Sequence, residues 1–202
     1  MKTGHRSTRP VNVLPGLVLA VCPPTAHAHL VSTGLGPVYD GILHFAVTLE
    51  DLVPTLALAL LAGLRGTNQS RIVIFVLPLA WLVAGGAAVI VGRSAVLPLG
   101  WLPFVLLGGL VAADARLPRN VTTALSVLLG VFLGYANGAA MGGGGPGLRG
   151  VLGVAVAVFV LTTLVTATVV SFQEGWLRIV WRVLGSWIAA SGLLLLGWSL
   201  AR

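Results

Sequence analysis

The feature that most constrains this chain is a succession of six apolar blocks, roughly residues 41–64, 71–92, 95–113, 120–140, 148–170 and 177–199. A helix rises 1.5 Å per residue, so ~20 residues cross the ~30 Å of hydrocarbon in a bilayer. Each block is near that length. The apolar residues run continuously instead of alternating with period two, which disfavours a β-barrel. A helix also satisfies its own backbone hydrogen bonds, as lipid demands. The expected fold is therefore all-α, a polytopic membrane helix bundle of about six transmembrane helices. Composition agrees: 8% of the 202 residues are charged and 57% hydrophobic, where a soluble domain carries roughly 25% charged residues. The lipid bilayer is thus the chain's first partner.

Short polar breaks, "RGTNQSR", "GRS", "DARLPRN", "GGGGPGLRG" and "SFQEGWLR", separate the blocks and require neighbouring spans to run antiparallel. The first, third and fifth breaks collect Arg65, Arg71, Arg116, Arg119, Arg178 and Arg182, and the opposite side receives Arg93, Arg149 and Arg202. Basic loops stay in the cytoplasm, so the bias predicts an inner-membrane protein with its mature amino terminus in the periplasm. Twelve Lys and Arg against five Asp and Glu do not make a nucleic-acid surface. The arginines fall singly between apolar blocks, with no basic stripe or interleaved aromatics.

Residues 1–28 pass from the basic "MKTGHRSTRP" through the apolar "VNVLPGLVLAVC" to "PPTAHA". This is the layout of a secretory signal peptide, with Ala26 and Ala28 flanking His27 and cleavage expected before His29. An uncleaved first helix is the alternative. The expected organisation is a signal peptide over 1–28 and a six-helix transmembrane domain over 29–202. The single cysteine, Cys22, excludes an internal disulfide.

Inside the spans, Gly130, Gly134 and Gly138 recur every fourth residue on one face. Small residues at that spacing let two backbones approach closely in lipid, which places the fourth block inside the bundle. Pro54, Pro78, Pro98 and Pro103 withhold helix donors and mark places where a helix bends. "MGGGGPG" at 141–147 lacks the Lys-Ser/Thr ending of a phosphate loop and reads as a turn.

The first block opens on an unusual set of ionisable groups, Asp40, His44, Glu50 and Asp51. On a straight helix Asp40, His44 and Asp51 fall within about 40° of one face and span about 16 Å, with Glu50 pointing away. Asp40 and His44 form a pair at the outer interface in this reading. Asp51 lies deeper, where a lone carboxylate costs about 2.5–3.5 kcal/mol and so requires a partner, water or a proton. Pro54 is expected to loosen the helix there. After cleavage His29 offers an α-amine and an imidazole. Imidazoles with carboxylates suit borderline divalent metals such as nickel, zinc and cobalt, so His44, Asp40, Glu50, Asp51 and His29 are the candidate metal residues. No serine or cysteine accompanies His44, and Cys22 leaves with the signal peptide, so the residues do not describe an enzyme.

The frame "DGILHFAVTLEDLVPTLALALLAGL" resembles the first membrane segment of the HupE/UreJ family, accessory membrane proteins linked to nickel hydrogenases and ureases. The family motif has the form His-Pro-x-x-Gly-x-Asp-His. His44 matches the leading His; Phe45 replaces Pro, Thr48 replaces Gly, Glu50 stands for Asp and Asp51 for the second His. "VFLGYANGAAM" at 131–141 resembles a later motif, Phe-x-His-Gly-x-Ala-His-Gly-x-Glu: Gly134, Ala136 and Gly138 match, while Leu133, Asn137 and Ala140 stand where His, His and Glu are expected. The resemblance implies a permease or delivery accessory for nickel or another divalent metal, with metalloenzyme maturation partners and no bound cofactor beyond the transported ion. Asn137 and Tyr135 are then neutral polar contacts from the fourth span. A non-transporting structural or assembly membrane protein is the alternative.

Overall fold

The computed structural model describes residues 33–92, 99–172 and 174–201. The expected signal peptide, Cys22 and His29 lie outside these residues, as do Arg93, Pro98 and Arg202. The described residues form helices without strands: α1 (Pro37–Val47), α2 (Leu49–Leu64), α3 (Thr67–Val91), α4 (Trp101–Ala112), α5 (Arg119–Met141), α6 (Gly147–Ser171) and α7 (Gly175–Leu200). The chain is an all-helical membrane bundle.

The apolar blocks do not all become straight spans. Helices α3, α5, α6 and α7 are each long and apolar enough to cross a membrane. The first block is broken instead: α1 and α2 together pass the same test but are bent by 75°. Helix α4, from the third block, has 12 residues and reaches about 18 Å, short of the hydrocarbon thickness.

The break in the first block lies at Thr48, not at Pro54, which sits within a continuous α2. Thr48 is extended at φ −88° and ψ 95°. Its N–H and its Oγ1 both donate to the His44 carbonyl, at 3.0 Å and 2.7 Å, so the last turn of α1 closes on Thr48. The Asp51 and Leu52 N–H groups then donate to the Thr48 carbonyl, which starts α2. The bend removes the single straight face expected for Asp40, His44 and Asp51.

Helix α2 is the axis of the bundle. Residues Ala57 to Gly63 are all buried, as expected of a helix that is apolar all round, and α3, α4, α5, α6 and α7 pack around it. Helices α3 and α5 pack most intimately, through the glycine face. A Cβ on Gly134 would meet the Trp81 backbone at 2.6 Å, and one on Gly138 would overlap the Gly85 carbonyl. The fourth block is inside the bundle for the reason the glycine spacing predicts. Helix α7 is peripheral: it buries only Gly185 and Gly192, both against α4.

The arginine-rich end is tied together by Asp114, whose φ of 52° lies in the left-handed region that Asp tolerates better than most residues. Its Oδ1 accepts from Arg65, and its Oδ2 accepts from Arg178 Nη2 at 2.6 Å. The Arg65 side chain is 8% exposed. Desolvation, then repulsion from Arg178 and Arg116, holds its pKa below the ordinary value, yet a guanidinium stays charged in proteins. Gln69 extends the network by donating to the Leu117 carbonyl and accepting from Thr122 Oγ1, at 2.8 and 2.6 Å.

Candidate functional site

The first block bends by 75° between α1 and α2, and its polar residues separate around the break. Asp40, on the first turn of α1, accepts from the Thr33 N–H at 2.6 Å and from Thr33 Oγ1 at 2.7 Å. It secures the chain entering α1 and receives no hydrogen bond from His44, contrary to the expected pairing. Glu50 is exposed. Asp51, in the first turn of α2, is 4% exposed.

Asp51 has a partner from a distant part of the chain. Asn137 Nδ2 on α5 donates to Asp51 Oδ2 at 2.9 Å and to the Leu133 carbonyl at 3.0 Å. These bonds fix the orientation of the amide, because its NH₂ has two donors and both are engaged. Asn137 is itself 4% exposed, and its Oδ1 is buried with no donor. The half-buried His44 imidazole lies close enough to interact with Asn137, but no well-formed hydrogen bond satisfies Oδ1.

The walls of the site are apolar. Phe45 packs edge-on against Trp81, with ring centroids 5.9 Å apart, and Trp81 Nε1 is a second buried polar atom without a partner. Pro54 cannot donate to the Glu50 carbonyl one turn earlier. Thr55 Oγ1 donates to the Asp51 carbonyl at 2.7 Å, which reinforces the backbone at this turn. Tyr135 is not part of the site; it lines a groove between α3 and α5 with Val76, Leu79, Ala80, Val83 and Val131.

Two acceptors, the Asp51 carboxylate and Asn137 Oδ1, and the nearby His44 imidazole therefore collect beside a helix break. Among the described residues no three of His, Cys, Asp or Glu gather into one group. The set can take a proton or a cation through carboxylate, amide oxygen and imidazole, and it lacks a nucleophile paired with a base. Sequence reasoning placed Asp51 on a helix continuous with His44 and did not foresee the break. Its signal was present in Thr48-Leu49-Glu50-Asp51, a Thr followed three residues later by an acid and then an apolar run, as at a helix start.

Asp51 and Asn137 are 86 residues apart, and each occupies the last histidine position of one of the two motif-like segments. The model of the HupE / UreJ protein family matches residues 17–195. The chain belongs to that family. Neither a search of curated proteins nor one of solved structures gave a match. The HupE/UreJ match spans both halves of the site and every described helix but the end of α7. It fits a membrane accessory protein in which the two segments meet.

Proposed function

We propose that this HupE/UreJ member is an inner-membrane permease or delivery accessory for a divalent metal cation, with the arginine-rich end in the cytoplasm and the mature amino terminus in the periplasm. The observation that carries the reading is the Asp51–Asn137 hydrogen bond at the break between α1 and α2. Broken helices bearing polar groups within a bundle are how many membrane transporters build a cation site. Intramembrane ionisable residues are rare enough to be read as functional. His44, Asp51 and Asn137 Oδ1 are the proposed cargo contacts, Asp40 holds the entrance in shape through Thr33, and Glu50 draws cations to the outer surface. Nitrogen and oxygen donors together suit nickel, cobalt or zinc.

The test is accumulation of nickel, cobalt and zinc in cells lacking their own importers. His44→Ala and Asn137→Leu should insert normally and lose most uptake of the transported ion, whereas Asp40→Asn should lose less. Full uptake with Leu at both residues 51 and 137 would remove the cargo role and favour a scaffold that carries no ion.

A further inference from the structure

Met141, the last residue of α5, is fully buried and has no part in the cation site built from His44, Asp51 and Asn137. It is the one methionine among the described residues. Every other aliphatic side chain of the core cluster that contains it is Leu, Val or Ala, so its thioether is a choice of chemistry as well as of volume.

The sulfur stands where α1, α5 and α6 meet. A Cβ on Gly41 would overlap the Gly150 carbonyl, and one on Gly153 would overlap the Val38 carbonyl, so α1 lies backbone to backbone on the first turns of α6. Met141 Sδ is 3.1 Å from the point that a Cβ on Gly150 would occupy, so it fills room that the glycine leaves free. Met141 follows Asn137 by one turn of α5, on nearly the same face and about 6 Å farther from the arginine-rich end. Helical side chains tilt toward the amino-terminal end of their helix, which leans Met141 back toward Asn137. His44 follows Gly41 by three residues on α1 and leans back toward the same Gly41–Gly150 contact.

We infer that the Met141 thioether is a further contact for the cargo cation and gives the site its preference for softer cations, nickel and zinc, over manganese and magnesium. The inference rests on the cargo reading above. A thioether is a polarisable donor of the kind that borderline and soft cations accept, whereas hard cations keep to oxygen. Being neutral, it adds a donor to a buried site without the cost of a second buried charge.

Nickel K-edge X-ray absorption of the full chain carrying Cys22→Ala, which removes its only thiol, tests the inference. The loaded protein should show a sulfur neighbour in the nickel shell, and adding Met141→Leu should remove it. Because that exchange conserves volume, the thermal midpoint should stay close to that of the parent. Nickel affinity should fall about tenfold, the low end of what a disturbed metal shell costs, while manganese affinity should hold. A nickel shell of nitrogen and oxygen alone, or nickel affinity unchanged by Met141→Leu, would overturn the inference and leave the cargo reading standing. Equal losses of nickel and manganese would also overturn it and mark Met141 as a packing residue. A parent protein that binds no nickel would overturn the cargo reading and this inference together.

Discussion

The two ends of α2 each meet a carboxylate, and the bundle treats the two in opposite ways. At the arginine-rich end Asp114 lies between two guanidiniums. About 21 Å earlier along the same helix, Asp51 has one neutral amide for company. A carboxylate that serves structure alone is best surrounded by fixed cations. One that must accept and release a mobile cation is best left electrically incomplete. The contrast favours Asp51 as the working group and Asp114 as the clasp that joins α2, the α4–α5 connection and α7.

The comparison breaks most visibly at Asp114. Asp114→Asn keeps a residue that tolerates the left-handed backbone but leaves Arg65 and Arg178 facing each other with no counter-charge. With Arg65 nearly buried, the expected loss is about 3 kcal/mol, at the low end for an orphaned buried ion because Arg178 is partly in solvent. It should appear as a clear drop in the thermal midpoint in detergent. An unchanged midpoint would mean that the clasp has no structural weight.

Asp51 should be far more forgiving. Asp51→Asn still offers Asn137 an acceptor and should leave stability nearly unchanged, while Asp51→Leu should cost about 1 kcal/mol, the scale of an interhelical hydrogen bond in a membrane. Comparing the thermal midpoints of the two variants checks this. A loss with Asp51→Asn as large as that of Asp114→Asn would erase the distinction between the two ends. The smallest effect is expected of Arg178→Gln, because Arg65 still neutralises Asp114 and the lost side chain is half in water. Its cost should stay below about 1 kcal/mol and shrink further as salt is raised.

Much of this was legible in the sequence. Continuous apolar blocks specify helices in lipid, and the four-residue repeat of Gly130, Gly134 and Gly138 specifies which face of α5 meets another backbone. The need of Asp51 for a partner also follows from the cost of an isolated charge. The break at Thr48 was harder to see. Its apolar pattern is that of one continuous span, and Pro54 drew attention six residues downstream. Asn137 could be named from its motif position, but only the packing of α5 across α2 shows that its amide reaches Asp51. The bonds from Thr33 to Asp40 are not legible, because Thr33 precedes the helix and no periodicity connects the two.

The glycine face between α3 and α5 has a mechanical consequence. Backbones in contact at Trp81, Gly85, Gly134 and Gly138 leave no side-chain cushion through which one helix can slide past the other, so α3 and α5 form a single stiff plate. Helix α2 touches α5 little, and the bond from Asn137 to Asp51 crosses between them. That bond is therefore a seam between the plate and the axial helix. A cation that drew Asp51 away from Asn137 would unfasten the seam without bending either body.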